Sequence, residues 1–349
     1  MLRLMRSGLV LSTTAYALPL RAAGKARPRR VLAGLLLPLS GANASLGRMI
    51  ERAASLAAAP NPKVEAIPAF DTGGSAEGAA AAAEAAIRAG AGLLLGPLGA
   101  AEVPAAVAAA AGRAPVLSFS NDPALLDSGA FLIGITPAQA VGAILPYARG
   151  RGVRRVGIVG GDSGWARAAV AAAERVAPTA GIALNPAAGG GAPAAMLAAL
   201  RGDGALPDAV LLAEGGQAMA ALARMLREEG VQLLATAQTL AGPPGEVDAY
   251  DGAWFAGYDP DRFADFARAY QTQHGGEPGM IAALGYDAAT IARALARDGT
   301  VGRDGLLGRP FDAVSGALRF RSDGSCLRQM AILVAEAGGN RMVGHGTAG

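Results

Sequence analysis

The chain is poor in the residues that most often carry chemistry. It has one cysteine, two histidines and only 5% aromatic residues in 349 positions. The lone Cys326 has no partner for an internal disulfide. His274 and His345 both lie far downstream of the one serine in a protease-like context, which removes the upstream base that such a nucleophile needs. Charged residues make up 17% of the chain and form no basic stripe interleaved with aromatics, so nucleic acid is excluded as a partner. No uninterrupted apolar run reaches the roughly 18 residues that span a bilayer. No cluster of metal ligands is visible, and no cofactor is expected. The terminal Gly344–Gly349 segment matches Gly-x-Gly-x-x-Gly, but with no strand before it and no helix after it the match carries no meaning.

What is present is a large apolar fraction, 52% of residues, enough for two domains. The positive balance is local. Seven basic and no acidic residues fall in the first 30 positions, and removing them leaves 24 basic against 28 acidic residues. That basic start, a short apolar run and the small-x-small site Ala15-Tyr16-Ala17 have the layout of a secretory signal over 1–17, followed by a basic linker over 18–30. A periplasmic location follows. With no cysteine after the apolar run, lipid attachment there is not expected.

The stretch Gly160–Trp165, GGDSGW, resembles the loop around a serine nucleophile. Its context is a buried strand, a turn and an alanine-rich helix, so Ser163 is read as a binding or capping residue. Such units recur. Apolar runs without alternation, joined by helices, predict parallel sheets covered on both faces. The pattern restarts after residue 137, which predicts an α/β protein of two doubly wound lobes. Two amphipathic helices follow, with Phe263, Phe266 and Tyr270 at helical spacing, and then an antiparallel hairpin around Ser322–Ser325.

In such sheets ligands sit beyond the carboxyl ends of the strands. The candidates are Ser40 and Asn43, Gly96, Leu98 and Gly99, Ser118, Ser120 and Asn121, and Thr136 from the first lobe. The second lobe adds Asp162, Ser163 and Trp165, then Glu214 and Gln238. Hydroxyls, amides and glycines hold a small polar molecule and lack the bases and nucleophiles to break it. Each has a plainer role open to it. Ser45, Ser75 and Ser163 fit helix N-caps, Gly96 and Gly99 fit turns, and Trp165 fits ordinary packing.

The segments LLLPLSGANASLG, FDTGGSAEGA, LLLGPLGAAEV, PVLSFSND, VGIVGGDSGWARA, LGYDAATIA and GALRFRSDGSCLR resemble, in order and spacing, the type I periplasmic binding proteins of the leucine/isoleucine/valine-binding kind. The resemblance implies two lobes joined by three crossovers: 31–137 with 261–307, and 138–260 with 308–341, leaving 342–349 as a disordered tail. It implies no enzyme, but a clamp on an amino-acid-like ligand for the membrane permease of an ABC importer. Ser120, Asn121 and the Gly99–Ala100 turn would take a carboxylate, Trp165 would cover the ligand, and Gln238 or Glu214 would face its ammonium. Two departures stand out. The turn at Gly99–Ala101 lacks hydroxyls, and Gln238 is uncharged. The hairpin and the opening LLLPLSG resemble equally the penicillin-binding protein activators of the LpoA type, which use the same body to contact a cell-wall synthase.

Overall fold

The computed structural model describes residues 31–57, 66–185, 190–202, 204–336 and 339–348. The expected signal and linker lie outside them. Gly34–Leu37 (β1), Ala69–Asp71 (β2), Leu94–Leu95 (β3), Val116–Ser118 (β4) and Ala130–Leu132 (β5) form an all-parallel sheet in the order β2-β1-β3-β4-β5. Alternate residues of a strand point to opposite faces, and here both faces are apolar. Leu35, Leu37, Leu95 and Leu117 enter one core cluster. Leu36, Leu94, Val116 and Leu132 enter another, together with the alanines of Ala76–Arg88 (α2) and Val103–Ala110 (α3). Ala44–Leu56 (α1) lies on the other side.

The second sheet begins with Arg155–Val159 (β6), Ala183–Leu184 (β7), Ala209–Leu212 (β8), Gln232–Ala235 (β9) and Trp254–Gly257 (β10), all parallel to their neighbours. Its helices are Pro137–Gly150 (α4), Gly164–Ala180 (α5), Pro193–Arg201 (α6), Gln217–Glu228 (α7) and Pro244–Val247 (α8). Pro260–His274 (α9), Met280–Arg297 (α10) and Arg303–Gly308 (α11) follow. The chain ends with Leu318–Phe320 (β11), Cys326–Val334 (β12) and Arg341–Ala348 (β13). β12 runs antiparallel to β10 and is flanked by β11 and β13, giving eight strands among the described residues. Two separate sheets are thus present, as the restart in the sequence pattern predicts.

Phe266 and Tyr270 of α9 pack with Ala53 of α1 and Ala282 of α10, so the third section returns to the first sheet. Two crossovers start at strand carboxyl ends. β5 leaves the first sheet at Leu132, and residues 133–136 lead into α4, which packs on β10, β12 and β13. β10 leaves the second sheet at Gly257, and Tyr258 and Asp259 lead into α9 on α1. The carboxyl rims of both sheets therefore open onto the same junction.

Three expectations are corrected. Residues 342–348 are not a disordered tail: β13 pairs with β12 from Arg341↔Val334 to Ala348↔Arg328, because the chain turns back along a strand with a free edge. Ser45 is not the N-cap of α1. That place falls to Asn43, whose side chain makes no capping bond. Nor does 308–341 belong wholly to the second lobe. Phe311, Leu318, Phe320 and Cys326 are buried in the cluster of Leu35 and Leu117, because β11 turns alternate side chains toward the first sheet. The hairpin tip also binds β5, with Leu132 N–H donating to Gly324 O at 2.8 Å.

The junction holds two buried charges. Arg328 is fully buried, and its guanidinium donates to Ile133 O at 2.6 Å, to Ser315 O at 3.1 Å and to the Ser315 hydroxyl. Its Nε has no partner. Asp287 of α10, equally buried, accepts from Val314 N–H at 2.7 Å and Ser315 N–H at 3.0 Å. Burial pushes the Asp287 carboxyl above its ordinary range, against the pull of those donors and of Arg328. Burial likewise pushes the Tyr258 phenol far up, with Arg328 and Asp287 both within electrostatic reach. Ile133 and Tyr258 of the two crossovers thus meet the 313–317 segment, the third crossing, which leads from α11 into β11.

Candidate functional site

The turns beyond the first sheet are braced from within. Ser40 N–H donates to Asp71 Oδ1 at 3.2 Å, as do Leu39 and Gly73, both at 2.8 Å. These donors and the Ser40 hydroxyl lower the Asp71 pKa to about 2 although the carboxyl is exposed. Asn43 is exposed beside them. Gly96 sits at φ +108°, where a Cβ would stand 2.2 Å from Leu36 O, so only glycine fits this turn. Leu98 packs on the first core cluster.

Gly99 N–H donates to Glu102 Oε1 at 2.9 Å, and Glu102 N–H donates to Gly99 O at 3.1 Å, at the start of the 3-10 turn Ala100–Glu102. Glu102 is only 4% exposed, and its Oε2 has no partner. On the neighbouring turn the Ser118 hydroxyl donates to Pro97 O at 3.1 Å and accepts from Ser120 N–H at 3.0 Å. The Ser120 hydroxyl accepts from Asp122 N–H at 3.2 Å, leaving Asn121 exposed between them. Thr136 caps α4, exchanging bonds with Gln139 in a capping box.

On the second rim, Asp162, Ser163, Trp165 and Glu214 come together. The Ser163 hydroxyl donates to Glu214 Oε2 at 2.6 Å and accepts from Ala166 N–H at 3.0 Å, capping α5. The carboxylate lies so close over the strand turn that a Cβ on Gly161 would meet Glu214 Oε1 at 1.6 Å. The Trp165 indole N–H donates to Thr236 Oγ1 at 3.3 Å, which fixes the half-buried ring. Thr236 and Thr239 bond each other at 3.1 Å beneath it. Gln238 is exposed on the same turn, and Asp162 is exposed with its carbonyl held by Arg167. The His274 ring lies 3.1 Å from the Ser55 hydroxyl, whereas the partners of the Ser163 hydroxyl are Glu214 and the Ala166 N–H.

The sequence candidates thus fall into two groups, one per rim, with most hydroxyls engaged inside their own rim. Sequence reasoning missed Glu102, Asp71, Thr236 and Thr239. The Gly-x-x-Glu spacing of Gly99 and Glu102 was the signal for the first, since a residue at the third helical position reaches back to the cap N–H. Cavities of about 510 Å³ near Asp298 and Arg309 and about 520 Å³ near Glu336 and Arg341 share no residue with the two rims. Among the described residues no group of three metal-ligating side chains converges, and no helix is long and apolar enough to cross a membrane.

A family model described as "Periplasmic binding protein" matches residues 31–340. A solved structure from Rhodospirillum rubrum, described as a branched-chain amino acid ABC transporter, is similar with a TM-score of 0.76 and 23% identity, covering 90% of this chain and all of its own. The leucine-binding protein LivK of Thermotoga maritima gives 0.62 at 19% identity, covering 90% and 98%. Full-length LpoA of Haemophilus influenzae gives 0.69 at 18% identity, covering 91% of this chain and 60% of its own. No curated protein matches the sequence.

Proposed function

The chain belongs to the periplasmic binding protein family, and from that premise we propose that it is an extracytoplasmic solute-binding protein without enzymatic activity. It is exported through its basic, apolar N-terminal signal. It closes two lobes, first-sheet with α9–α11 and second-sheet with the terminal strands, over a small polar, amino-acid-related ligand and presents it to the permease of an ABC importer. The observation that carries this reading is topological. Both sheets direct their carboxyl rims at one junction, and chain crossings at such a junction act as a hinge. Trp165, with its N–H anchored on Thr236, offers one ring face from the second rim. The exposed amides of Asn121 and Gln238 supply polar contacts from opposite sides.

A second reading is an LpoA-like activator of cell-wall synthesis. The observation that favours it is the internal bonding of Ser118, Ser120, Thr136 and Ser163, which leaves few hydroxyls free for a guest. A thermal-shift screen of amino acids, carboxylates and amines separates the two. A ligand at about 100 times its dissociation constant adds roughly 2.7 kcal/mol, a clear rise in melting temperature. A flat response across a broad library, with a cell-wall synthase recovered from envelope extracts on the immobilised protein, would replace the first reading by the second.

A further inference from the structure

A turn at the start of a helix exposes N–H groups that attract anions, and an amino acid offers it a carboxylate. At the end of β3 that place is already taken. Glu102, 96% buried by its 4% exposure, puts Oε1 on Gly99 N–H at 2.9 Å, and its Oε2 remains buried with no partner. A ligand carboxylate brought to this turn would meet a second carboxylate instead of a donor. Like charges in contact repel, which disfavours a carboxylate here.

The rest of the two rims has the same sign. The strand-end turns 38–43, 71–74, 96–102, 118–122, 133–136, 160–165, 213–216 and 236–239 contain Asp71, Glu102, Asp122, Asp162 and Glu214, and neither lysine nor arginine. Guanidiniums that reach these turns are directed at backbone: Arg48 donates to Leu39 O, Arg167 to Asp162 O and the fully buried Arg328 to Ile133 O. Facing this is the half-buried indole of Trp165, whose ring face attracts a cation. Glu214 is held beside it by Ser163, and Asp162 is exposed on the same turn.

Resting on the solute-binding reading above, we infer that Glu102 is a specificity-determining residue and that the ligand is an organic cation, an amine or guanidine without a carboxylate beside its charge. Glu102 closes the anion place on the first rim, while Trp165, Asp162 and Glu214 hold the positive group on the second. Neutral hydrogen bonds from Asn121 and Gln238 orient the remainder.

The test is calorimetric titration of the full chain with matched pairs: agmatine against arginine, cadaverine against lysine, and phenethylamine against phenylalanine. The amine of at least one pair is expected to bind roughly tenfold or more tightly than its amino acid. Glu102→Gln keeps an acceptor for Gly99 N–H and removes the charge, so that preference should narrow to about threefold or less. A melting curve for Glu102→Gln near that of the parent shows that the fold is intact, and Glu102→Ala provides a second variant if it is not. Tighter binding of the amino acid in any responding pair overturns the inference and leaves the solute-binding reading standing. So does a ligand found only among carboxylates. No binding by any pair, together with a flat broad screen, overturns the solute-binding reading and the inference with it.

Discussion

Arg328→Met is the perturbation that most directly tests the junction. Methionine fills much of the same volume, so the cavity contribution is small. The loss is electrostatic. Ile133 O, Ser315 O and the Ser315 hydroxyl each lose their guanidinium donor, and Asp287 loses a cation that offsets its buried charge. Removing one partner of a buried charged set costs about 3–5 kcal/mol. Against a typical domain stability of about 5–15 kcal/mol, that is a large fraction. Denaturant unfolding should therefore show a clear fall in midpoint. The companion variant Asp287→Asn discharges the uncompensated carboxylate, so it should cost less in the Arg328→Met background than in the parent. The difference should exceed about 1 kcal/mol, the scale of coupling between residues in one network. A loss below about 1 kcal/mol for Arg328→Met, or strict additivity of the two changes, would refute the reasoning that these charges tie the crossovers together.

Two further outcomes follow from the same structure. The Asp71 carboxyl, held at about 2 by the N–H groups of Leu39, Ser40 and Gly73 and by the Ser40 hydroxyl, lies below the ordinary aspartate value of 3.8. A depressed acid stabilises above its unfolded value and loses that contribution as pH falls through the folded one. Stability should thus drop between about pH 4 and pH 2, and Asp71→Asn should flatten that part of the acid-unfolding curve; an unchanged curve would contradict it. Deleting residues 341–349 strips β13 from β12 and from Tyr147 of α4, which lies 3.1 Å from the Cβ position of Gly344. The truncated chain should aggregate more readily through the bared edge and melt lower; equal melting and solubility would mean that the strand contributes nothing.

The sequence alone determined the layers. Unalternated runs such as Leu93–Leu95 and Val210–Leu212 can only be buried on both faces, and the alanine-rich segments between them can only cover those faces. Strand ends such as Ser118–Asn121 and Asp162–Trp165 were legible for the same reason, since local turn chemistry marks them. Capping was only partly legible. Ser75 and Ser163 cap as their spacing suggests, but Asn43 displaces Ser45, a difference of two residues that frayed helix starts do not encode.

What only the tertiary structure decided depends on distant pairings. Nothing local marks Arg328 as buried; the fold brings Ile133 and Ser315 around it, from 195 and 13 positions away. Nothing local marks Asp287 as a buried acceptor; Val314 and Ser315, 27 and 28 positions on, present the N–H groups that it binds. The hydroxyls singled out as ligand contacts turn out to be engaged within their own rims, because a buried hydroxyl is satisfied by whichever partner the folded chain brings nearest. Periodicity is written residue by residue and survives in the sequence. Hydrogen-bond satisfaction is settled among atoms far apart in the chain, and it exists only once they have met.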